Sequence, residues 1–241
     1  MSATVNRRLV LASRPEGIPG PEHFRRDDRP LEQPQAGEFL LRNHYLSIDP
    51  AQRGWVNAAA NYSDPVPVGG VMRSLAVGQV ESSRHPEISQ GDYLYGWFGW
   101  QDYCIADTAK IIRRVDPAQA PVSAALGVLG IGGVAGYLAL TGIGNPQAGE
   151  TVVVSTAAGS VGSVVGQIAR NLGCRTIGIT GRDDKVAACV EVFGYDAAVN
   201  YRSARDIGAA VRAHCPDGID VYFDNTSGAI ADAMVGQMNV G

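Results

Sequence analysis

The sequence predicts an α/β protein in two parts: a small β-barrel half followed by a doubly wound parallel sheet. Three observations predict it. Up to about residue 120 the chain carries short apolar and aromatic runs broken by Pro and Gly. After Pro121 the rhythm changes to alternating strand and helix patterns with short links. Between the first strand and first helix of that second rhythm lies a glycine turn, Ala157-Ala158-Gly159-Ser160-Val161-Gly162. The boundary is placed at 122/123, giving segments 1–122 and 123–241.

In the first segment strands are expected at 8–11, 38–42, 76–80, 92–95 and 102–105, with the imperfect alternation of strands that bend and bulge. The stretch 49–73 reads as a long loop holding Arg53, Trp55, Tyr62 and Met72, and loops of that length in compact domains usually carry function. In the second segment, residues 123–140 are apolar and rich in small side chains, the pattern of a buried helix. Thr151-Val152-Val153-Val154-Ser155 is a continuous apolar run, as in a strand covered on both faces. Helix 161–172, strand 175–180, helix 184–193, strand 197–200, helix 204–214, strand 219–224 and helix 229–238 complete the series.

Composition narrows the function. The 241 residues are 45% hydrophobic and 18% charged with a net charge of −4, and no basic stripe is present, which argues against a nucleic-acid or membrane-surface role. No run approaches the roughly 20 apolar residues of a membrane span, and residues 1–8 lack a signal-peptide core. Four cysteines without C-x-x-C spacing read as reduced thiols, so a cytoplasmic location is expected.

The glycine turn carries the most chemistry. Phosphate binding needs backbone N–H groups presented at a helix N-terminus with no Cβ in the way. Gly159 suits the tight turn, Gly162 the close approach and Gly166 the packing of helix on strand. The flanks are those of a dinucleotide site: an apolar strand before, a helix after, a second strand about 20 residues on. The alternative is a turn that serves packing only. At the end of the second strand, where an NAD site places a carboxylate for the ribose 2′-OH, the chain has Thr180-Gly181-Arg182, with Lys185 close by. That charge pattern suits a 2′-phosphate, although Asp183 and Asp184 dilute it. His23, His44, His85 and His214 are scattered and none stands at ligand spacing to a cysteine, so no metal site is expected.

Gly91-Asp92-Tyr93-Leu94-Tyr95-Gly96 in a β-rich half before a dinucleotide-binding half resembles the medium-chain dehydrogenase/reductase superfamily. Leu46-Ser47-Ile48-Asp49-Pro50 with Arg53, the segment 157–167, and Asp224-Asn225-Thr226-Ser227-Gly228 narrow the resemblance. They are similar to the zinc-independent NADPH-dependent alkenal/one oxidoreductases, a group that includes leukotriene B4 12-hydroxydehydrogenase/prostaglandin reductases and bacterial curcumin reductases. The resemblance implies a GroES-like barrel domain and a Rossmann domain. It places the phosphate loop on Gly159, Ser160, Val161 and Gly162, the 2′-phosphate lysine on Lys185, a cofactor-contacting tyrosine on Tyr201 and a cofactor-contacting asparagine on Asn225. A substrate-side tyrosine falls on Tyr62, the candidate catalytic residue. The implied partners are NADPH, a small enone or enal substrate and a second copy of the chain in a homodimer. Many members have an aromatic–Met pair where this chain has Ala51-Gln52, which changes the expected acceptor pocket. Members also continue past Gly241 with the last sheet strands, so the Rossmann domain is expected to be partial and roughly a hundred residues longer in the family pattern. The implied reaction is hydride addition to an activated alkene; a quinone reductase of the same superfamily and a non-catalytic NADPH-binding module are the alternatives.

Overall fold

The computed structural model describes residues 5–59 and 63–240. The chain divides into two compact units, Met1–Leu126 and Gly127–Gly241.

The first unit holds strands β1 (Val5–Leu11), β2 (Phe24–Pro30), β3 (Phe39–Leu46), β4 (Ala76–Ser83), β5 (Tyr93–Gly96), β6 (Tyr103–Ala106) and β7 (Ile111–Val115). β3 to β7 form an antiparallel sheet in the order β6-β3-β4-β5-β7. Register shifts at Leu40/Leu41, Asn43/Tyr45 and Tyr95/Gly96 supply the bulges expected of strands that curl into a barrel. β1 and β2 form a separate ribbon, and backbone bonds from Leu9 to Trp100 and from Met72 to Leu9 draw it onto the curled sheet. Phe39, Leu41, Ala76, Val80, Leu94 and Phe98 fill the interior.

Two strands lie outside the sequence expectation. β2 is Phe-Arg-Arg-Asp-Asp-Arg-Pro and has no apolar alternation. Its pairing partner supplies the reason: Arg8 of β1 stands opposite Asp27, and Arg7 opposite Asp28, so opposite charges face each other across the ribbon. β7 carries two arginines in five residues and pairs with β5. The stretch 49–73 is also less irregular than expected, since Ala51–Trp55 forms a short helix, α1.

The second unit contains α2 (Ile131–Ala139), β8 (Thr151–Ser155), α3 (Gly162–Asn171), β9 (Arg175–Thr180), α4 (Asp183–Glu191), β10 (Ala197–Asn200), α5 (Ile207–Arg212), β11 (Val221–Phe223) and α6 (Gly228–Val235). All strand pairs are parallel, in the order β10-β9-β8-β11. With β8 as the first strand this is order 3-2-1-4 of a Rossmann sheet. Every residue of β8 is buried. Its side chains alternate between two cores: Val152 and Val154 pack with Val165, Ala169 and Cys189 on one face, while Val153 packs with Ile177, Ile179, Val211 and Met234 on the other.

The helix expected over 123–140 is broken. Val122–Ala125 forms a 3-10 turn, with Ala125 and Leu126 packed against Leu75, Val77 and Tyr95 of the first unit. A turn through Gly127–Gly130 follows, and α2 begins only at Ile131. Glycine is a poor helix former, and the turn is required: a Cβ on Gly133 would stand 1.9 Å from the Val128 carbonyl oxygen. The strand expected over 219–224 contracts to Val221–Phe223, and the Asp220 carboxylate accepts the Thr151 N–H at 2.8 Å.

Candidate functional site

The site grows from the ends of β8, β9 and β11. After β8 the chain turns at Thr156 with φ of 51°, and the Gly159 N–H closes the turn on the Thr156 carbonyl at 2.8 Å. A Cβ on Gly162 would stand 2.4 Å from that same carbonyl oxygen, so only glycine lets α3 start this close to the strand. No side chain caps α3. Among the described residues nothing accepts from the N–H groups of Ser160, Val161 and Gly162. Three orphan donors at a helix N-terminus are an anion site.

Gly166 serves the same helix from below. A Cβ there would lie 2.1 Å from the Tyr195 ring. The Tyr195 phenol donates to the Gly162 carbonyl at 2.7 Å, and burial pushes its pKa far up, so it stays a donor. Tyr195 thereby fixes the first turn of α3 from the interior.

At the end of β9 the charges sort themselves. Arg182 donates twice to Asp184, at 2.8 and 2.5 Å, and its guanidinium holds that carboxyl below the usual range. Asp183 accepts from Asn200 at 2.6 Å. Arg182 and both acidic residues are therefore engaged locally. Among the described residues the Lys185 ammonium has no ion pair or hydrogen bond. Its companion is Arg202, which the sequence reading missed. Arg202 sits with its guanidinium carbon 5.8 Å from the Tyr201 ring centroid and its Nε 3.4 Å from the phenol oxygen, with no carboxylate in ion-pair distance among the described residues. The signal that could have found it is its place beside Tyr201, one residue past the third strand's turn. Lys185, Tyr201 and Arg202 line one cleft of about 160 Å³ with Thr180, Gly181 and Thr226. Tyr201 packs against Gly181, where a Cβ would come within 2.9 Å of the ring.

The loop after β11 closes on β8. Asn225 receives no freedom from its exposed position: its N–H donates to Ser155 Oγ at 2.6 Å and its Nδ2 to the Ser155 carbonyl at 2.8 Å, which leaves the amide oxygen to accept. Asp224 organises this loop. Desolvation opposes its ionisation, but the N–H groups of Thr226 and Ser227 and the hydroxyls of Tyr222 and Ser155 outweigh it and hold Asp224 down at about 2.

The structure thus gathers Lys185 and Tyr201 into one cleft and places Gly159–Gly162 and Asn225 at the ends of β8 and β11 of the same sheet. Tyr62 lies outside the described residues. Arg53 turns away from chemistry, binding the Asn57 side chain and the Gly17 carbonyl. The first unit has a separate pocket of about 580 Å³, walled by Trp55, Met72, Trp97 and Phe98 and bearing Arg73 and Lys110. Cys104, Cys174, Cys189 and Cys215 are all buried and unpaired. Among the described residues no group of three or more His, Cys, Asp or Glu is placed to hold a metal ion, and no helix is long and apolar enough to cross a membrane.

Residues 7–113 match the family described as N-terminal domain of oxidoreductase, and residues 160–241 the family described as zinc-binding dehydrogenase. The chain is 43% identical to the NADPH-dependent curcumin reductase of Escherichia coli (strain K12), over 97% of its own length and 67% of the relative's. It is 34% identical to the 2-alkenal reductase (NADP(+)-dependent) of Nicotiana tabacum, over 85% of its length and 60% of that protein's. The crystal structure of CurA from Vibrio vulnificus in complex with NADPH superposes with a TM-score of 0.88 at 40% identity, covering 97% of this chain and 68% of that one. The chain therefore spans about two thirds of the length of these relatives.

Proposed function

The chain belongs to the medium-chain dehydrogenase/reductase family that includes the curcumin and alkenal reductases, and on that premise we propose that it is an NADPH-dependent reductase of the C=C bond in α,β-unsaturated ketones or aldehydes. NADPH, when bound, supplies the hydride. The observation that carries the reading is the cleft at the end of β9: two cations without counter-ions, Lys185 and Arg202, beside Tyr201, with both nearby carboxylates already engaged. A dianionic 2′-phosphate matches that charge and a bare ribose hydroxyl does not.

The chain's own groups divide the work. The N–H groups of Ser160, Val161 and Gly162 hold the pyrophosphate, Lys185 and Arg202 hold the 2′-phosphate, and Tyr201 flanks the adenosine. The Asn225 amide oxygen accepts from the cofactor at the mouth of β8. Tyr62 is the proposed donor toward the substrate; a phenol with an ordinary pKa of about 10 donates rather than abstracts at neutral pH. The reaction is proposed to run without zinc, because the scattered histidines offer no ligand set in the sequence. A homodimer, which rests on the likeness, and a cytoplasmic location, which rests on the reduced thiols of the sequence, belong to the same reading.

The test is cofactor binding by Lys185→Ala. Loss of a charge-assisted phosphate contact is expected to weaken NADPH at least about 10-fold and to leave NADH nearly unchanged. Equal loss for both cofactors would remove the 2′-phosphate assignment.

A further inference from the structure

We infer that Arg73 is the group that faces the acceptor's carbonyl oxygen, and that Gln52 positions it. The inference rests on the enone-reductase reading above. When hydride adds to the β-carbon, the C=C electron pair moves toward the carbonyl, whose oxygen becomes an enolate oxyanion. A proton then closes the α-carbon. The oxyanion needs a donor fixed in place before it forms.

The pocket of the first unit offers one. Its volume of about 580 Å³ is that of a small-molecule site, and its walls are aromatic and apolar. Trp55 is 5% exposed and meets Trp97 edge to face, with ring centroids 5.8 Å apart. The Arg73 guanidinium lies over Trp55 at 5.2 Å and donates from Nη1 to Ser63 Oγ. Among the described residues no carboxylate stands within ion-pair distance of it. A guanidinium has five N–H donors, so the contact with Ser63 leaves most of its fork to a ligand. Lys110, the other cation on this pocket, is turned aside: its ammonium contacts the Ile105 carbonyl at 3.4 Å and Cys104 Sγ at 3.7 Å.

Gln52 supplies the fixation. It is 6% exposed, and its Nε2 donates to the carbonyls of Ser47, at 3.2 Å, and Arg73, at 3.3 Å. Its Oε1 accepts the Asp49 N–H at 3.1 Å. The amide is fully engaged and gives the pocket no polarity of its own. It ties the backbone under Arg73 to the start of α1, at the position where the sequence departs from the aromatic–Met pattern of its family. Arg73 stabilises charge but keeps its proton at any working pH, so the α-carbon proton comes from another group.

The probe is cinnamate, an aromatic carboxylate that sets an anionic oxygen beside a ring, followed by quenching of tryptophan fluorescence in the full chain. Wild type is expected to bind it; Arg73→Gln weakens it at least 10-fold, and Arg73→Lys, which keeps the charge and loses the fork, weakens it by a smaller factor. NADPH affinity does not change in either variant. In steady-state reduction of an enone, Arg73→Gln lowers kcat about 100-fold with little change in KM. Gln52→Leu, which keeps the guanidinium but frees its backbone, lowers kcat by a smaller factor and leaves NADPH binding intact. Enone reduction with Arg73→Gln indistinguishable from wild type in both assays would overturn the inference and leave the reductase reading standing. Cinnamate bound through Arg73 with no enone reduced would support the anion site and overturn the reductase reading. Should Arg73→Gln fail to fold by circular dichroism, Arg73→Met, which keeps the stem and removes the charge, and Gln52→Leu decide: unchanged kcat in both would overturn the inference.

Discussion

Arg182 and Arg202 carry the same charge and line the same cleft, yet only Arg182 is paired with a carboxylate among the described residues. Arg182 is spent on Asp184, two residues away, while Arg202 rests on Tyr201 without a carboxylate. Arg182→Ala is therefore expected to change NADPH affinity by less than about threefold, and Arg202→Ala to weaken it roughly 10-fold. Titrations of the two variants with NADPH and with NADH separate the cases; the reverse ranking would reassign the cleft. The family resemblance singled out Lys185 and Tyr201 but not this distinction. A charge count near a strand end cannot tell an unpaired cation in a cleft from one already paired with a carboxylate at its own helix start.

Among the elements, the turn into α3 is the most constrained, because strand end, glycine turn and helix are locked by contacts from both sides. Gly166→Ala places a methyl group into the Tyr195 ring and is expected to cost about 1–3 kcal/mol as an overpacked core. Tyr195→Phe leaves the Gly162 carbonyl without its donor and should cost about 1 kcal/mol. Urea unfolding monitored by circular dichroism measures both. Elements such as β8 and β9 were legible because continuous burial demands continuous apolar residues. β2 was not, because its pairing is satisfied by backbone bonds and by arginine opposite aspartate, a pattern that looks like solvated surface. The length of α2 was misjudged for a related reason. Composition showed apolar character through 123–140, whereas the break depends on the Gly127–Gly130 turn and a carbonyl that leaves no room for a Cβ at Gly133.

At the scale of the molecule, the two units were visible as a change of rhythm, and the fold class followed from it. What the sequence could not supply was the direction of individual side chains, on which the assignment of Arg53, Gln52 and Arg73 depends. The proposed phosphate-binding turn, Lys185, Tyr201 and Asn225 all lie within Gly127–Gly241. NADPH at 100 times its Kd should stabilise the folded state of that unit by about 2.7 kcal/mol. Hydrogen exchange should show the gain first at 157–162, 180–185, 201–202 and 224–227. NADPH protection absent from all four segments would contradict the site.

The buried cysteines take on a second meaning if enones and enals are the substrates. Such compounds alkylate thiolates, and a protein that gathers them is exposed to damage by its own cargo. Cys104, Cys174, Cys189 and Cys215 are each no more than 6% exposed. Desolvation raises the pKa of all four, that of Cys189 to about 11. Since the thiolate is the nucleophile, at neutral pH these sulfurs present neither access nor reactivity. Folded protein incubated with acrolein should show no cysteine adducts by intact mass over a period in which urea-unfolded protein gains up to four. Self-alkylation is thus blocked by placement in the core, and the same burial makes any core-loosening substitution, Gly166→Ala included, a route to chemical inactivation during turnover.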